Sequence, residues 1–327
     1  MKIHFLILLS LISIFPGHGK DRKTKVYTNP VIQQSTPDPT VLQTPGGIFY
    51  LYATENIRNT PIYKSIDLVH WTFVGTAFTD QTRPTFEPEG SIWAPDINYI
   101  NGKYVLYYAM SRWGGEQTCG IGCATANSPE GPFTDHGPLF RSNEIGVQNS
   151  IDPFYIEEND EKYLFWGSFR VLYYIELSPD GLSIRPGSQP TRIAGTAYEA
   201  IYIHHRGNYY YLFASTGSCC EGDKSTYTTV VGRSKSLFGP YTDKNGNLML
   251  DNHHEIVVHS SERFAGTGHN AEIITDRKGN DWLLYHAYLR GKSDRGRVLL
   301  LDRLQWKDGW PFIENRIPSN EAKAPVF

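Results

Sequence analysis

One short pattern of apolar and aromatic residues recurs along this chain of 327 residues, each time directly after a polar turn. Its strand-forming residues are mostly aromatic or β-branched, which favours extended structure over helix. The copies begin 46 to 72 residues apart, the length of a four-stranded sheet with its turns. The five copies are residues 47–54 (GIFYLYAT), 102–109 (GKYVLYYA), 161–168 (EKYLFWGS), 207–215 (GNYYYLFAS) and 279–287 (GNDWLLYHA).

A second pattern follows three of the copies, at residues 65–72 (SIDLVHWT), 128–135 (SPEGPFTD) and 236–243 (SLFGPYTD). It is typical of a hairpin that ends one strand and opens the next. No stretch of ten or more residues between the copies has helical periodicity. A sandwich or jelly roll would also have short, evenly spaced strands, but recurrence of the same aromatic strand favours an all-β, five-bladed β-propeller.

The N-terminus has the pattern of a cleavable signal peptide. Lys2 precedes an apolar run at residues 5–15 (FLILLSLISIF), which is too short to span a bilayer comfortably, and the small residues Gly17 and Gly19 follow. We therefore expect residues 1–19 to be removed, and residues 20–327 to form a single propeller domain, secreted or periplasmic. We expect a monomer with no membrane span.

The balanced charge, 31 basic against 34 acidic residues, gives no basic patch that would indicate a nucleic-acid partner. The 21 Tyr and 7 Trp residues instead supply flat surfaces that suit stacking on sugars. Four Cys form two close pairs, Cys119 with Cys123 and Cys219 with Cys220. In an exported protein each pair is either a disulfide or two small thiols, and neither has zinc-site spacing.

Three acids stand just ahead of repeat copies. Asp38 precedes the first, Asp152 the third and Glu199 the fourth. Inner strands of a propeller line its central channel, so equivalent positions in different blades converge on one pocket. Alone, each Asp-Pro sequence is typical of a turn. The common placement of the three acids instead predicts a shared site.

Glu199 differs from the two aspartates because it is a single acid in the apolar stretch 193–203. Burial there would raise its pKa, as a general acid requires. Glycosidic hydrolysis needs such an acid and a carboxylate base on the far side of a water molecule. The three acids therefore indicate a glycosidase, with a further negative charge helping to tune the acid.

These motifs resemble glycoside hydrolase family 43, from Thr36 to about Pro311. Pro37-Asp38-Pro39 matches the motif of the family's base, Ser150-Ile151-Asp152-Pro153 that of the aspartate that tunes the acid, and Tyr198-Glu199-Ala200 that of the acid. The resemblance implies a five-bladed propeller and an inverting hydrolase in which Asp38 is the base, Glu199 the acid and Asp152 the tuning residue.

The resemblance also implies residues that bind sugar. Trp93, in the signature Trp93-Ala94-Pro95-Asp96, is expected on the pocket wall, with Asn149 as a further sugar contact. Ser168 ends the third repeat copy, so it either faces the channel rim and bonds a sugar hydroxyl or only belongs to a strand-end turn. The segments 149–153, 165–169, Cys219-Cys220 and 266–270 are most similar to the arabinan-degrading branch. In that branch the histidine equivalent to His269 helps to hold a cation, so we expect one Ca²⁺ or Na⁺ near His269 and no organic cofactor. A hydrogen-bonded channel histidine without metal is the alternative, because calcium prefers oxygen ligands.

The implied substrate is arabinan or arabinoxylan, cleaved at α-L-arabinofuranosyl linkages by endo or exo action. Pro37 and Ala200 depart from the pattern of endo-arabinanases, so a β-xylosidase acting on xylan oligosaccharides is an alternative. A carbohydrate-binding propeller without catalysis is an alternative from another class. Arg297 and Arg303 either pair with channel acids or form surface or blade-closing ion pairs, and the second interpretation is favoured, so neither is counted in the site.

Overall fold

The structure, a computed structural model, describes residues 25–327. The predicted signal peptide lies outside these residues, so the division of the chain at residue 20 stays a prediction. No helix in residues 25–327 has the length and apolar character needed to cross a membrane.

Almost all regular structure is β-strand. Besides one short helix, α1 (Ser142–Ile145), residues 25–327 contain 3-10 turns at Gly222–Lys224, Met249–Asp251, Ser293–Arg295 and Glu314–Arg316. In chain order the strands are β1 (Val26–Thr28), β2 (Thr40–Gln43), β3 (Phe49–Tyr52), β4 (Pro61–Ser65), β5 (Thr72–Thr76), β6 (Ser91–Ile100), β7 (Lys103–Ser111), β8 (Gly120–Ala126), β9 (Thr134–Arg141), β10 (Phe154–Glu158), β11 (Glu161–Trp166), β12 (Leu172–Glu176), β13 (Thr191–Ala194), β14 (Glu199–Arg206), β15 (Tyr209–Thr216), β16 (Thr228–Ser234), β17 (Glu255–Val258), β18 (Phe264–Gly268), β19 (Ile274–Thr275), β20 (Asp281–Leu289), β21 (Arg297–Lys307), β22 (Trp310–Phe312) and β23 (Glu321–Lys323).

Apart from β1 and β23, which pair with each other, the strands form five antiparallel sheets, which are the blades of a propeller. Their orders are β2-β3-β4-β5, β6-β7-β8-β9, β10-β11-β12-β13, β14-β15-β16-β17 and β18-β20-β21-β22, with β19 also paired to β20. First strands of neighbouring blades contact one another, as β2 does β6, so these strands surround the centre. The prediction of a five-bladed, all-β propeller is confirmed, and the five repeat copies form the second strand of each blade.

The second sequence pattern joins the third and fourth strands of a blade. Residues 65–72 and 128–135 are tight connections, as predicted. The third example differs, because β17 begins only at Glu255. There the Asp243 carboxylate accepts hydrogen bonds from the backbone N–H groups of Asn245 and Asn247, which closes a local turn. A longer loop then leads to the last strand of the blade.

Aromatic side chains fill the spaces between blades. Tyr52 and Tyr108 lie between the first two blades, and Tyr107 stacks on Tyr155 between the second and third, with ring centroids 5.7 Å apart. Burying each such ring contributes roughly 1.5–3 kcal/mol, and the ring–ring contact adds to this. The aromatic composition therefore serves the packing of blades.

The N-terminal segment closes the ring. Strand β1 pairs with β23, and the Val31 N–H donates to the Leu299 carbonyl in β21 of the last blade, at 2.9 Å. The Asn29 side chain also donates to the Leu301 carbonyl and accepts from the Leu301 N–H. Residues before the first blade thus complete the fifth.

One residue of each innermost segment has left-handed backbone, close to the start of the inner strand in the first four blades and directly after β18 in the fifth. These residues are Asp38, Ala94, Asp152, Ala200 and His269, with φ between 42° and 58°. Such a conformation costs a side-chain-bearing residue about 1–3 kcal/mol, so the surrounding structure must hold it. Asp38 and Asp152 themselves occupy the left-handed position, whereas Glu199 stands one residue before it, because Ala200 occupies it in the fourth blade. Each blade therefore turns sharply at the channel mouth and presents a side chain there.

Candidate active site

A cleft of about 330 Å³ opens at the channel mouth. It is formed where the inner strands begin and the second strands end, so every blade contributes to it. All seven side chains predicted from the sequence to form a site line this cleft: Asp38, Trp93, Asn149, Asp152, Ser168, Glu199 and His269.

Asp38 is buried and surrounded by donors. Arg297 Nη1 lies 2.7 Å from Oδ1, and Thr54 donates its hydroxyl to Oδ2 at 2.6 Å. His269 Nδ1 lies 3.2 Å from Oδ1. Burial by itself would raise the pKa of Asp38, but the Arg297 charge, followed by His269, holds that pKa well below its ordinary value. Asp38 is therefore a carboxylate at neutral pH.

His286 supports Asp38 from behind. Its ring is fully buried in β20, and its Nδ1 accepts the backbone N–H of Asp38 at 3.0 Å. Burial and the nearby Arg297 charge lower the pKa of His286 well below its ordinary value, so the ring is neutral with its proton on Nε2. His286 also stacks on Tyr227, with centroids 5.7 Å apart.

His269 has the opposite charge preference. Burial would lower its pKa, but the Asp38 carboxylate, with Asp152 and Glu199, raises that pKa above the ordinary value. Its backbone N–H donates to Ser215 Oγ at 2.9 Å, which fixes the left-handed turn. The channel acids therefore favour the protonated form of His269.

Glu199 has the properties expected of a proton donor. Burial raises its pKa, and the Asp38 charge adds to the rise. Ser168 donates its hydroxyl to Glu199 Oε2 at 2.6 Å, which moderates the increase, as does Tyr227. The carboxyl group is thus held in one orientation and kept protonated to a higher pH than a free glutamate.

Asp152 shares this environment. Burial raises its pKa to about 7, and the negative charges of Glu199 and Asp38 add to the rise, whereas His269 opposes it. Its Oδ2 accepts the Ala200 N–H at 3.0 Å, next to Glu199 in the chain. Asp152 and Glu199 therefore compete for protons, and the ionisation of one raises the pKa of the other.

The remaining predicted residues form the walls. The Asn149 side chain donates to the Ser168 carbonyl at 3.1 Å, so it orders the segment that carries Ser168. Trp93 packs against Trp113, with centroids 5.6 Å apart, and the Trp113 side chain is 79% exposed beside the cleft. The sequence did not single out Trp113, because its turn between β7 and β8 lies outside the repeated strands.

Arg297 pairs with a channel acid, so the favoured interpretation of a surface or blade-closing ion pair was wrong and the alternative is confirmed. Arg297 begins β21 and reaches into the channel to contact Asp38, because β21 starts at the mouth of the fifth blade. Arg303, six residues later on the same strand, is exposed and makes no ion pair within residues 25–327. His286 was also missed, although a polar ring inside the apolar fifth copy was an available signal.

A cation near His269 stays a prediction. His269 is one imidazole whose Nδ1 faces Asp38, and residues 25–327 hold no cluster of three or more His, Cys, Asp or Glu side chains arranged for a metal. A cation here would therefore take most of its ligands from water, unlike a carboxylate-rich calcium cage.

The two cysteine pairs differ in state. Cys219 and Cys220 form a disulfide between adjacent residues, on the wall of the cleft. Cys119 and Cys123 are buried free thiols in the second blade. Only the first pair is placed to meet a ligand.

Comparison with known proteins agrees with this geometry. Residues 27–311 match the sequence profile of glycosyl hydrolases family 43. The chain is 34% identical over 289 residues to the extracellular endo-α-(1→5)-L-arabinanase 1 of Bacillus subtilis, covering 84% of this chain and 86% of that protein. It is 32% identical over 315 residues to the extracellular exo-α-(1→5)-L-arabinofuranosidase ArbA of Cellvibrio japonicus, covering 87% and 88%.

The fold is shared with solved structures. The Cellvibrio cellulosa α-L-arabinanase in complex with arabinohexaose superposes with a TM-score of 0.77 at 31% identity, covering 88% of this chain and 99% of that one. With the family profile matched over most of its length, this chain belongs to glycosyl hydrolases family 43 and is a glycoside hydrolase.

Proposed function

We propose that this protein hydrolyses α-1,5-linked L-arabinofuranosyl chains with inversion, using Asp38 as general base and Glu199 as general acid. The observation that carries the assignment is the opposite perturbation of two carboxyl groups in one cleft. The pKa of Asp38 is held low by Arg297, and that of Glu199 is raised by burial. Carboxyl groups whose pKa values are separated by their surroundings are suited to opposite roles in proton transfer.

In this proposal Asp38 accepts a proton from the attacking water. Its Oδ1 faces Arg297 and His269, and its Oδ2 is fixed by Thr54, so the carboxylate cannot rotate freely. The water attacks the anomeric carbon from the side opposite the leaving group, which inverts its configuration.

Glu199 protonates the departing glycosidic oxygen. The Ser168 hydroxyl orients the carboxyl group, and the negative charge of Asp38, joined by that of Asp152 when Asp152 is ionised, resists early loss of the proton. Asp152 acts on Glu199 through space and through the Ala200 turn, so it tunes the acid without touching the bond that breaks.

Arabinan is the favoured substrate because the relatives described above act on arabinan chains, and one related structure holds arabinohexaose. The β-xylosidase alternative is not favoured by these relatives. A propeller without catalysis is not favoured either, because the three acids share one cleft. Both curated relatives are named extracellular, which supports the proposal that this protein is secreted.

The decisive test is Glu199→Gln, which keeps the shape of the side chain and removes the transferable proton. We expect kcat on linear arabinan to fall about 10²–10⁴-fold with KM little changed. Glu130→Gln, at a surface carboxyl that contacts Lys64 away from the cleft, is the matched control and should retain activity. Undiminished hydrolysis by the Glu199→Gln variant would refute the acid assignment.

Stereochemistry and product length complete the test. Proton NMR of early products should show the inverted anomer, and a retained anomer would contradict the use of a water-activating base. Product profiles on linear arabinan, debranched arabinan and arabinoxylan separate endo from exo cleavage and identify the chain that is preferred.

We also propose that a cation, Ca²⁺ or Na⁺ with mainly water ligands, lies near His269. It would supply positive charge at the channel centre, and no step above passes through it. Calorimetric titration of chelator-treated protein with calcium chloride tests this, with His269→Ala as the control. Absence of saturable heat would refute it for calcium.

A further inference from the structure

The Cys219–Cys220 disulfide occupies a specific place beside the proposed acid. Glu199, at the start of β14, pairs across the sheet with Ser215 near the end of β15. The chain then leaves the blade through a loop of residues 217–227, returns at Thr228, and carries the disulfide on the side that faces the cleft. The disulfide therefore lies on the cleft wall only four residues beyond the register partner of Glu199.

The loop that carries the disulfide is closed at its neck. The Ser218 N–H donates to Thr226 Oγ1 at 3.0 Å, and the Thr226 N–H donates to Ser218 Oγ at 3.2 Å. Inside the loop, Ser225 donates its hydroxyl to the Cys219 carbonyl at 3.2 Å and accepts the Glu221 N–H at 2.9 Å. These bonds fix the backbone without using the sulfur atoms.

The same loop is attached to the fifth blade. The Gly291 N–H donates to Asp223 Oδ2 at 2.9 Å, and the Arg290 side chain donates to the Asp223 carbonyl. The loop is thus held between the blade that carries the acid and the blade that carries Arg297. A wall fixed at both ends presents a surface that is ordered before any ligand arrives.

The exposed chemistry of this wall is apolar. Both cysteines are partly exposed, and within residues 25–327 neither sulfur of the disulfide has a hydrogen-bond partner. A furanose ring has a hydroxyl-bearing side and C–H groups. The charged cluster around Asp38 suits the hydroxyls, whereas a polarizable sulfur surface suits the C–H groups.

We propose that the Cys219–Cys220 disulfide is a sugar-binding surface of this enzyme, against which the C–H face of a furanosyl unit packs. The inference rests on the proposed arabinan-hydrolysing function and adds a binding determinant to it. Because the sulfurs take no part in proton transfer, they contribute to substrate affinity and leave the chemical step unchanged.

Protection from reduction tests contact directly. A water-soluble phosphine opens the bond by giving two electrons, which yields two thiols and, with water, the phosphine oxide. The Glu199→Gln protein is incubated with the phosphine, with or without saturating arabinotriose, and the new thiols are counted by alkylation and mass spectrometry. We expect arabinotriose to slow the appearance of alkylated Cys219 and Cys220 at least fivefold.

Cys119 and Cys123 are internal controls, because these buried thiols are alkylated only if the fold opens. Equal reduction rates with and without arabinotriose, in a protein that calorimetry shows to be saturated, would overturn the inference and leave the proposed function standing. Absence of both arabinotriose binding and arabinan hydrolysis by the native enzyme would instead overturn the proposed function and the inference together.

Kinetics of the double variant Cys219→Ala/Cys220→Ala give the second readout. We expect KM for arabino-oligosaccharides to rise about tenfold with kcat within about twofold of the native enzyme, since loss of one apolar contact surface weakens binding. The matched control Cys123→Ala, in the second blade, should leave both constants unchanged. A fall in kcat at unchanged KM would show that the disulfide only positions Glu199, and would overturn the inference.

Discussion

Replacing Arg297 by methionine should change the pH dependence of catalysis in a defined direction. Arg297 Nη1 lies 2.7 Å from Asp38 Oδ1, and both side chains are largely buried, with 16% and 10% of their surfaces exposed. The guanidinium favours the ionised form of Asp38, whereas burial favours the neutral form. Without the guanidinium, less opposes the effect of burial. The pKa of Asp38 must therefore rise.

The size of the rise follows from the contact. A charge-assisted hydrogen bond of this kind contributes about 1.5–3 kcal/mol, and one pKa unit corresponds to about 1.4 kcal/mol. Thr54 and His269 continue to favour the carboxylate, which keeps the increase at about 1–2 units. The acidic limb of kcat/KM against pH should therefore move upward by about 1–2 pH units.

The assay is kcat/KM for an arabino-oligosaccharide measured from pH 3 to pH 8. Arg297→Lys retains the positive charge and should shift the limb less than Arg297→Met. Arg303→Met removes an exposed arginine from the same strand and should leave the profile unchanged. A folded Arg297→Met variant with an unmoved acidic limb would refute the claim that Arg297 keeps the base ionised.

Three further changes test other contacts. Ser168→Ala should move the basic limb of kcat/KM upward by up to about one pH unit, because the lost hydroxyl favoured the ionised form of Glu199; an unmoved or lowered limb would contradict this. Trp113→Ala should raise KM for longer arabino-oligosaccharides about five- to tenfold with kcat retained, since an exposed ring beside the cleft supplies stacking surface. An unchanged KM for every chain length would refute a stacking contact between Trp113 and the substrate. Asp96→Ala should lower the free energy of unfolding by about 2–4 kcal/mol in urea titrations, because a backbone N–H of the third blade loses its buried acceptor. Burial, with the negative charge of Glu272, raises the folded-state pKa of Asp96, so the native chain should lose more stability than the Asp96→Asn variant as pH rises above about 3.9; parallel stability curves would refute this.

The blades could be predicted from the sequence because each carries the same aromatic second strand. Each blade must bury that strand against its neighbours, so the aromatic composition recurs five times. The three acids could be predicted because each stands at the start of an inner strand. Ser168 could be predicted because it ends a repeat copy, where the second strand reaches the mouth. These are local relationships between a residue and its own blade.

The site residues that the sequence analysis did not predict owe their position to contacts between distant parts of the chain. Arg297 meets Asp38 across 259 positions, and His286 meets the backbone of Asp38 across 248. Nothing in the local pattern of β21 distinguishes Arg297 from Arg303, because the choice depends on which end of the strand reaches the channel. The state of Cys219 and Cys220 likewise depended on loop geometry that the repeat does not specify.

Closure of the ring by the N-terminal segment has a consequence for when activity can arise. The Thr36 N–H donates to the Arg297 carbonyl at 2.7 Å, and two residues further along β21 the Leu299 carbonyl accepts from Val31. The pair Asp38–Arg297 therefore spans the seam at which the fifth blade meets the first. Contacts of such large sequence separation form late, after most of the chain is ordered. Hydrolytic activity should thus report completion of the whole ring, and a chain cut short before its fifth blade would carry all three acids yet remain inert.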